Sequence, residues 1–544
     1  MTSPAWVRKR DGRLVPFDPD EISRALFAAS ESLGQPDAFL ARELTDGVVH
    51  FLACEPADAP PSTAQIAETV EKVVRELGQP VLAQAFAEFA RVRLAGPAGA
   101  IPVDRRPSVL TIPFTPEATR EELSAACLRA FSLEAVFAPD LAAAHRDGLL
   151  TIEGLVAPFE MAGCVLEPAS SELEAVMGAR QHAGCLVAID GPEYELSKRP
   201  AAAPDYACAL VAALRSVQLP AVVNLNCSIP PPWADEVISG PLFASGQSTT
   251  GAREFEAVAD SLAGELISAA TDAEAPAPVR VDWHLGEEDF RPQAEDRLLG
   301  LVRRALDGAP LAFTFDRPRH PIALGGGMDR QHPAILLTVQ VHLPVVADQV
   351  AGLADAPARF LQKLGSLARL ALSAGVQKRD FLRRRAARPG LARRFLLDRA
   401  RLIVAPDGLR AVLSTLLGRP AEQDSEALDF ARRIVERLRD VVNEDARTRH
   451  VDVGLDGSRL WCSPPTVEGT PPPLPIETQI RVAARMHTAA SLGEFHLELG
   501  PDVPRFPREL ADALHRLWKR SAVGRVQFGR NYGSSRQLAL ARES

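Results

Sequence analysis

The chain has 544 residues, of which 46% are hydrophobic and 24% charged, and it carries a formal net charge of −9. This length allows a small module plus one large or two medium domains, and the negative balance disfavours binding to nucleic acid, whose phosphates attract a basic excess. The sequence has no signal-peptide core and no stretch near the roughly 20 apolar residues of a membrane span, so we expect a cytoplasmic protein that does not bind membranes.

The first predicted element is a β-hairpin over residues 7–17. Asp11-Gly12 is typical of a two-residue hairpin turn, because glycine accepts the positive φ that a primed turn requires. Lys9 and Arg10 are then predicted to lie on a strand beside this turn, where two cations can meet a polyphosphate with little loss of freedom. The alternative interpretation is a solvated basic hairpin.

Four helical patterns follow the hairpin. Pro61-Ser62-Thr63 is typical of a capped helix start. A segment rich in Gly, Pro and Ala then predicts a boundary, which divides the chain into a module at 1–95, a linker at 96–107 and a large domain at 108–544. The four predicted helices are Pro19–Leu33, Ala38–Phe51, Pro61–Leu77 and Val81–Arg93.

Beyond the linker, helical patterns alternate with short β-rich pieces, which favours an α/β architecture. Periodicity alone leaves open whether the strands form an open sheet or a barrel. Extended pieces are predicted at Leu149–Ile152, Pro220–Leu225, Arg280–Trp283, Ala312–Phe315 and Ile335–Leu343, with helices at Glu121–Phe137, Leu353–Ala374 and Ser425–Asn443.

The segment from Val7 to Arg93 resembles the ATP-cone, the nucleotide-sensing module found at the front of ribonucleotide reductases and in their transcriptional repressor. The matching pieces are V-x-K-R-D-G-R, the P-F-D turn, S-T-x-x-I-x-x-x-V-E-K-V and A-F-A-E-F-A-R-V-R, in the family's order. The resemblance implies a small, mostly helical domain with a β-hairpin that binds ATP or dATP as an effector. It also implies a homo-oligomer, since related modules act at contacts with a neighbouring subunit.

This resemblance assigns contacts with base, phosphate or helix-end groups to four residues. They are Val7, Lys9, Arg10 and Thr63. The family usually has a lysine just before the isoleucine that opens the first helix, and this chain has Glu21 there. A carboxylate cannot neutralise a phosphate, so one contact is lost, and Arg24, one helical turn further on, is the candidate replacement.

A second resemblance covers about residues 121 to 499. The segment Asp140–Ile152, followed by Gly163-Cys164, is similar to the part of anaerobic ribonucleoside-triphosphate reductases in which an A-x-x-H-x-x-G helix leads to a strand and an active-site cysteine. Val339–Pro344 is similar to that family's strand ending in N-L-P. The resemblance implies a large glycyl-radical-type α/β barrel and makes Cys164 a candidate partner thiol; the alternative is a small buried hydrophobe.

The groups that radical chemistry needs are absent or displaced. In the family, the hydrogen-abstracting thiol lies on a finger loop before the N-L-P strand, and Gly325–Leu343 contains no cysteine. The radical glycine belongs to an R-V-x-G-Y loop, and here Gly529 is one residue out of register and lacks the preceding cysteine pairs that hold zinc. We therefore expect Gly529 to be an ordinary turn glycine in a degenerate barrel, with no metal bound.

Three functions remain in competition. The preferred one is a nucleotide-sensing protein whose reductase-like barrel has lost radical chemistry and acts through binding or regulation. The second is an active reductase with relocated catalytic groups, for which Cys164, Cys227 and Gly529 are the candidates. The third is a regulator of assembly or transcription that uses the cone as an oligomerisation switch, although the negative charge and the lack of a Cys-paired zinc ribbon count against its DNA-binding form.

Overall fold

The structure is a computed structural model of the chain. It describes residues 4–54, 59–95, 119–166, 185–197, 201, 203–217, 220–231, 252–272, 278–385, 397–418, 424–461, 474–486, 491–492, 494–499 and 506–529. The predicted linker at 96–107 lies outside these residues. Within them, no helix is both long and apolar enough to cross a membrane.

The N-terminal unit is a hairpin followed by four helices, as predicted. Ser62 begins the third helix with a capping box, in which its side chain accepts from the Gln65 N–H and the Gln65 side chain accepts from the Ser62 N–H. The apolar faces of all four helices contribute to one core. The elements are β1 (Trp6–Arg8), β2 (Leu14–Pro16), α1 (Pro19–Ser32), α2 (Ala38–Cys54), α3 (Thr63–Glu76) and α4 (Pro80–Ala95).

The hairpin turn differs from the predicted two-residue turn. The Gly12 N–H donates to the Lys9 carbonyl at 3.0 Å, and the Lys9 N–H donates to the Arg13 carbonyl at 2.9 Å. Strand β1 ends at Arg8, so neither cation belongs to a strand: Lys9 pairs with Arg13 to close the loop, and Arg10 lies within it. Gly12, with a φ of 84°, takes the left-handed position that closes a three-residue loop with a bulge.

The helices of the larger part follow the predicted pattern with shifted ends. A π-helical turn at Ser132–Val136 completes the helix predicted over residues 121–137. Leu343, predicted as extended, begins a helix because Pro344 suits a first helical turn. The helices are α5 (Arg120–Phe131), α6 (Pro139–Arg146), α7 (Pro192–Leu196), α8 (Ala203–Val217), α9 (Ala252–Ala270), α10 (Glu295–Leu306), α11 (Leu343–Val350), α12 (Ala356–Arg385), α13 (Leu409–Leu417), α14 (Ser425–Arg449), α15 (Ile476–Met486) and α16 (Pro507–Arg520).

Every extended piece predicted in this part contains a strand, and further strands join them. Many of these strands are buried along their whole length, as β5, β6, β7 and β8 are. The strands are β3 (Leu150–Ile152), β4 (Gly163–Leu166), β5 (Leu186–Asp190), β6 (Ala221–Leu225), β7 (Val279–Leu285), β8 (Leu311–Phe315), β9 (Ala323–Gly325), β10 (Met328–Asp329), β11 (Ala334–His342), β12 (Arg401–Asp407), β13 (Asp452–Asp456), β14 (Ser491–Leu492), β15 (Glu494–Glu498) and β16 (Arg525–Gly529).

The large sheet closes on itself as a barrel of two halves. Strands β4, β5, β6, β7 and β8 are parallel to one another, and so are β11, β12, β13 and β14 in the other half, where β15 and β16 also run parallel. The halves meet antiparallel at β4 with β11 and at β8 with β16. Since β14 and β15 belong to one short segment, 491–498, the two ends of the strand order meet there.

A short antiparallel hairpin, β9 with β10, projects into this barrel between the two halves of the chain. An apolar cluster surrounds it, separate from the main core that the outer helices cover. Side chains of β5, β6, β11 and β12 reach this cluster from the barrel wall, so they face inward. The members of the interior cluster are Leu186, Ala188, Val222, Ile322, Leu324, Met328, Ile335 and Ile403.

Candidate functional site

The structure brings the predicted nucleotide-contacting residues into one region. Strand β1 lies beside the start of α3, because the Arg8 N–H donates to the Pro61 carbonyl at 2.9 Å. Val7, the central residue of β1, is buried, and Thr63 is the first residue of α3. The turn with Lys9 reaches the first turn of α1 on the other side. The hairpin thus lies between two helix N-termini, whose positive dipole ends favour anions.

Two cations of this region pair with carboxylates at the start of α1. Lys9 Nζ lies 3.4 Å from Glu21 Oε2, and Arg24 Nη2 lies 3.2 Å from Asp18 Oδ2. Asp18 also caps α1 by accepting from the Asp20 N–H. All four side chains are more than a third exposed. A phosphate group that approached Lys9 and Arg24 would therefore compete with two carboxylates at partly hydrated positions.

The opposite face of the same helical turn is buried against the barrel. Asp20 accepts from Arg42 of α2 at 2.6 Å, from Arg449 of α14 at 2.7 Å and from the Ser373 hydroxyl of α12 at 2.7 Å. Burial by itself would raise the pKa of Asp20, but Arg449 and Arg42 hold it well below its ordinary 3.8. This ionised carboxylate joins the N-terminal unit to two barrel helices.

Further polar contacts extend this docking interface along α2 and α12. Lys363 pairs with Glu43 at 2.5 Å. Asp46 accepts from the Ser366 hydroxyl at 2.6 Å and from Arg369 at 2.9 Å, and Arg369 also bridges to Asp445 of α14. The cone side of the interface contributes the carboxylates of Asp20, Glu43 and Asp46, while the barrel side contributes basic groups that match them.

The β9–β10 hairpin inside the barrel has glycines in its turn and is tightly packed. Gly325, Gly326 and Gly327 all have positive φ values, of 89°, 60° and 87°. A Cβ atom at Gly326 would lie 2.5 Å from Leu186 Cδ2, so the backbone itself fills the space beside the β5 wall. A Cβ atom at Gly163 of β4 would lie 3.3 Å from Met328 Sδ, so the thioether packs against that strand. The tip therefore places backbone against β5 and a thioether against β4 inside the barrel.

Ion pairs anchor both sides of this hairpin. Arg401 of β12 donates to the Gly327 carbonyl at 3.1 Å and to Asp329 at 2.9 Å. Arg330 forms a two-pronged contact with Asp190 at the end of β5, at 2.7 and 3.0 Å. Asp282, which is fully buried on β7, accepts from both Arg280 and Arg525. These carboxylates are balanced by guanidinium groups, which holds the interior fixed.

Polar groups gather at the first mouth, where β6, β7 and β8 end. Asn224 donates to the carbonyls of Ile189 and Leu324, so its oxygen faces His284 Nε2 at 3.1 Å. His284 Nδ1 lies 2.7 Å from Asp316. Both ring nitrogens therefore donate, which makes His284 an imidazolium. Burial opposes this charge, but Asp316 raises the pKa of His284 above its ordinary value.

Two further titratable groups at this mouth are buried, and neither forms an ion pair within the described part of the chain. Glu193 is completely buried, its Oε2 atom has no hydrogen-bond partner among the residues that the structure describes, and burial raises its pKa to about 8. The thiol of Cys227 lies 3.7 Å from Asp190 Oδ1, and burial raises its pKa well above the ordinary value. Both groups are therefore held in their neutral forms near pH 7.

The two residues proposed from sequence for radical chemistry lie on different elements. Gly163 faces the interior hairpin, so Cys164, the next residue of β4, points outward into the main core. Its sulfur lies 3.7 Å from the sulfur of Cys185. Gly529 is the last residue of β16 and pairs with Glu498 of β15, so it lies in a strand and not in the turn that was expected.

Sequence reasoning missed the charged residues that carry the docking interface and the barrel interior. Asp20, Asp282 and Arg449 sit among ordinary charged residues of amphipathic helices or in an apolar strand, and only their tertiary partners distinguish them. Within the described ranges, no group of three or more His, Cys, Asp and Glu side chains is arranged to hold a metal ion.

Comparisons with known proteins agree with the description of the N-terminal unit and with that of the barrel. The ATP cone domain model matches residues 6–93. No curated protein matches the chain in sequence. Among solved structures, an anaerobic ribonucleotide reductase is similar with a TM-score of 0.55 and 12% identity, over 75% of this chain and 78% of that one.

Two structures of the anaerobic ribonucleotide reductase from Thermotoga maritima are similar as well. The complex with dATP and CTP gives a TM-score of 0.55 and 11% identity, over 75% of this chain and 83% of that one. The form with glycerol in the active site gives 0.56 and 12%, over 75% and 81%. The chain thus has an N-terminal ATP-cone domain and a mixed α/β barrel with the anaerobic ribonucleotide reductase fold.

Proposed function

We propose that this chain is an adenine-nucleotide-responsive protein, in which the ATP-cone binds ATP or dATP and the reductase-like barrel has lost glycyl-radical chemistry. Residues 1–95 form the sensing module, 96–107 the linker and 108–544 the barrel domain in this proposal. The barrel acts through nucleotide-dependent binding or regulation. No metal takes part, and the active form is a homo-oligomer.

The observation that carries this proposal is the hairpin at the barrel centre. Its tip is Gly325-Gly326-Gly327-Met328, and the whole connection from β8 to β11 contains no cysteine. The tip is surrounded by the apolar interior cluster and anchored by Arg401. A thioether has no S–H hydrogen to lose, so Met328 cannot form the thiyl radical that abstracts hydrogen. A radical stored elsewhere in the chain could therefore not be passed to a sulfur atom at this tip.

The placement of the other candidate groups supports the same proposal. Cys164 points away from the hairpin, and Cys227 is buried beside Asp190 with its thiol protonated. For the alternative of an active reductase, one of these two thiols and Gly529 would have to move from their present positions to the barrel centre.

Nucleotide sensing is supported by the arrangement of α1. Its first turn carries Glu21 and Asp18, which hold the cations that phosphates would bind, and Asp20, which docks the cone onto α12 and α14. A triphosphate would displace the two exposed carboxylates within one helical turn of the buried one. Such a ligand can bias the docking interface because it changes the charge next to it.

Calorimetry on the full chain tests nucleotide binding. We expect ATP and dATP to release heat, and we expect Lys9→Ala with Arg10→Ala to weaken the affinity at least tenfold, since charge-assisted hydrogen bonds contribute roughly 1.5–3 kcal/mol each. Arg13→Ala is the matched control, because this cation of the same turn pairs with Asp11 instead. No heat at millimolar nucleotide would reject the sensing function.

Two further measurements separate the proposal from its alternatives. Light scattering with and without ATP or dATP reports the oligomer, and identical masses at all protein concentrations would reject nucleotide-dependent assembly. Anaerobic incubation with a glycyl-radical activase, followed by electron paramagnetic resonance and a deoxynucleotide assay, reports radical chemistry. We expect neither a glycine-centred doublet nor product. A doublet that disappears in Gly529→Ala, with product formed, would establish the active-reductase alternative.

A further inference from the structure

The barrel has a second mouth where β11 and β12 end, opposite the first. Three side chains at this mouth form a continuous hydrogen-bonded chain. Thr151 Oγ1 lies 2.8 Å from His342 Nε2, and His342 Nδ1 lies 2.8 Å from Asp407 Oδ2. An ionised carboxylate can only accept, so the proton of the imidazole resides on Nδ1. The lone pair of Nε2 then faces the threonine hydroxyl, which donates to it. This is the tautomer that a general base requires.

The strand register places this chain of residues on the inner face of the barrel. His342 and Asp407 are the last residues of two parallel strands, β11 and β12, and they pair directly. Ile403 of β12 belongs to the interior cluster and lies opposite Thr338 of β11. Since side chains alternate along a strand, the residues two and four positions further on face the same side.

The three groups are accessible to solvent. The side chains of His342 and Asp407 are 25% and 24% exposed, and Thr151 is half-buried on β3. Water could therefore hydrogen-bond to each of these three side chains, so burial alone does not explain why they bond to one another. His342 and Asp407 also lie at the carboxyl ends of parallel strands, which is where α/β proteins commonly place ligands, and Thr151 reaches them from β3, which pairs antiparallel with β11.

We propose that Thr151, His342 and Asp407 are a nucleophile, a general base and its orienting carboxylate for the hydrolysis of small carboxylic esters. The Thr151 hydroxyl transfers its proton to His342 Nε2 as its oxygen forms a bond to the ester carbonyl carbon. The carbon–oxygen bond to the alcohol then breaks, and His342 returns the proton to the departing alkoxide. Water, activated by the same nitrogen, cleaves the acyl-threonine to the free acid.

Two neighbouring features suit such a substrate. Helix α13 begins two residues after Asp407, so its positive end lies at this mouth and favours the negative charge that develops on the carbonyl oxygen. Glu153 accepts from Gln340, and Arg459 lies 3.5 Å from Glu153 with its own side chain 38% exposed. These groups supply polar contacts for an ester that carries further oxygen atoms. The activity is independent of the proposed nucleotide response.

The test measures turnover of 4-nitrophenyl acetate by the full chain, together with the masses of the intact chain and of its proteolytic peptides after acid quenching. We expect repeated turnovers and an acetyl group on Thr151. Thr151→Ala and His342→Gln should each lower the rate at least tenfold. Thr151→Ser should retain it, because serine keeps both the hydroxyl and its contact with His342. Thermal unfolding of each variant shows that the comparison is made between folded proteins.

Thr338→Ala is the matched control, because Thr338 lies on the same face of β11 but is not part of the triad. Its rate should equal that of the unmodified chain. The proposal is overturned if the chain gives no turnover above buffer, or if Thr151→Ala hydrolyses the ester as fast as Thr338→Ala. Acetylation confined to lysines, with at most one equivalent of nitrophenol per site, would overturn it as well.

Discussion

The first turn of α1 has two faces that use carboxylates in opposite ways. On the outer face, Glu21 pairs with Lys9, and these side chains are 62% and 37% exposed. On the inner face, Asp20 pairs with Arg42 and Arg449, and its side chain is 5% exposed. Exposed pairs contribute about 0–1 kcal/mol, whereas breaking a buried pair costs about 3–5 kcal/mol. A ligand can therefore replace Glu21 as the partner of Lys9 at little cost, whereas the partners of Asp20 stay fixed.

A third carboxylate, in the barrel, extends this comparison. Glu193 is as buried as Asp20, but it accepts from the Asn226 N–H, and no guanidinium pairs with it among the described residues. The charge of His284 lowers the pKa of Glu193 by less than burial raises it. Its pKa of about 8 lies on the opposite side of the ordinary value from that of Asp20. Burial is similar in the two cases, so the presence of a guanidinium decides whether the buried group is charged.

The largest expected effect is that of Asp20→Asn. This substitution removes the buried carboxylate that Arg42 and Arg449 share, and leaves Arg42 only the longer 3.5 Å contact with Asp46. We expect the free energy of unfolding to fall by about 3–5 kcal/mol. Urea denaturation followed by circular dichroism measures it. Glu21→Gln, on the exposed face, should lower it by no more than about 1 kcal/mol. Equal losses in the two variants would show that the two faces do not differ.

The pH dependence of this loss has a definite direction. The folded-state pKa of Asp20 lies below its ordinary 3.8. Its contribution to stability is therefore complete above that value and declines as the pH falls further, towards the folded pKa. The difference between the unmodified chain and Asp20→Asn should be constant from pH 5 to pH 7 and should shrink below pH 4.

The next effect concerns Glu193→Gln. Because the pKa of Glu193 is raised from 4.5 to about 8, the folded chain retains a proton that the unfolded chain releases between these values. Its folded state is therefore penalised progressively from pH 4.5 to pH 8, by up to a few kcal/mol, since each pKa unit corresponds to about 1.4 kcal/mol. Glutamine cannot ionise, so the variant should be more stable than the unmodified chain at pH 8.

Measurement of the urea midpoint at pH 5 and pH 8 checks this prediction. The midpoints of Glu193→Gln and the unmodified chain should lie close together at pH 5 and apart at pH 8. Glu288→Gln, on the exposed turn after β7, is the matched control and should leave the difference between the two pH values unchanged. A parallel response of Glu193→Gln and the unmodified chain would contradict a raised pKa at Glu193.

The sequence predicted the cone well because its signals are local. The capping residues at Ser62 and the helical spacing of apolar residues depend only on neighbours along the chain. The hairpin turn was predicted less well. Asp11-Gly12 suits a two-residue turn, but the same glycine also serves a longer loop with a bulge, and the closing pair of Lys9 with Arg13 decides between them.

The barrel was harder to predict from local signals. Strands buried on both faces, such as β5 and β8, show no alternation, so their periodicity does not distinguish them from buried helix segments. Closure depends on a long-range pairing at the segment that contains β14 and β15. The same holds for Thr151, His342 and Asp407, which are far apart in sequence and meet only through the register of β3, β11 and β12.

The smallest expected effect tests the exchangeable face directly. Glu21 occupies Lys9 and places a negative charge where a phosphate would bind, so Glu21→Gln should raise the affinity for ATP by about three- to tenfold, near 1 kcal/mol. Glu31→Gln changes the same charge at the other end of α1, about 15 Å away along the helix axis. That distance exceeds the screening length of about 8 Å at physiological ionic strength, so calorimetry should find less than a twofold change. Similar gains in both variants would mean that net charge, and not the contact of Glu21 with Lys9, limits nucleotide binding.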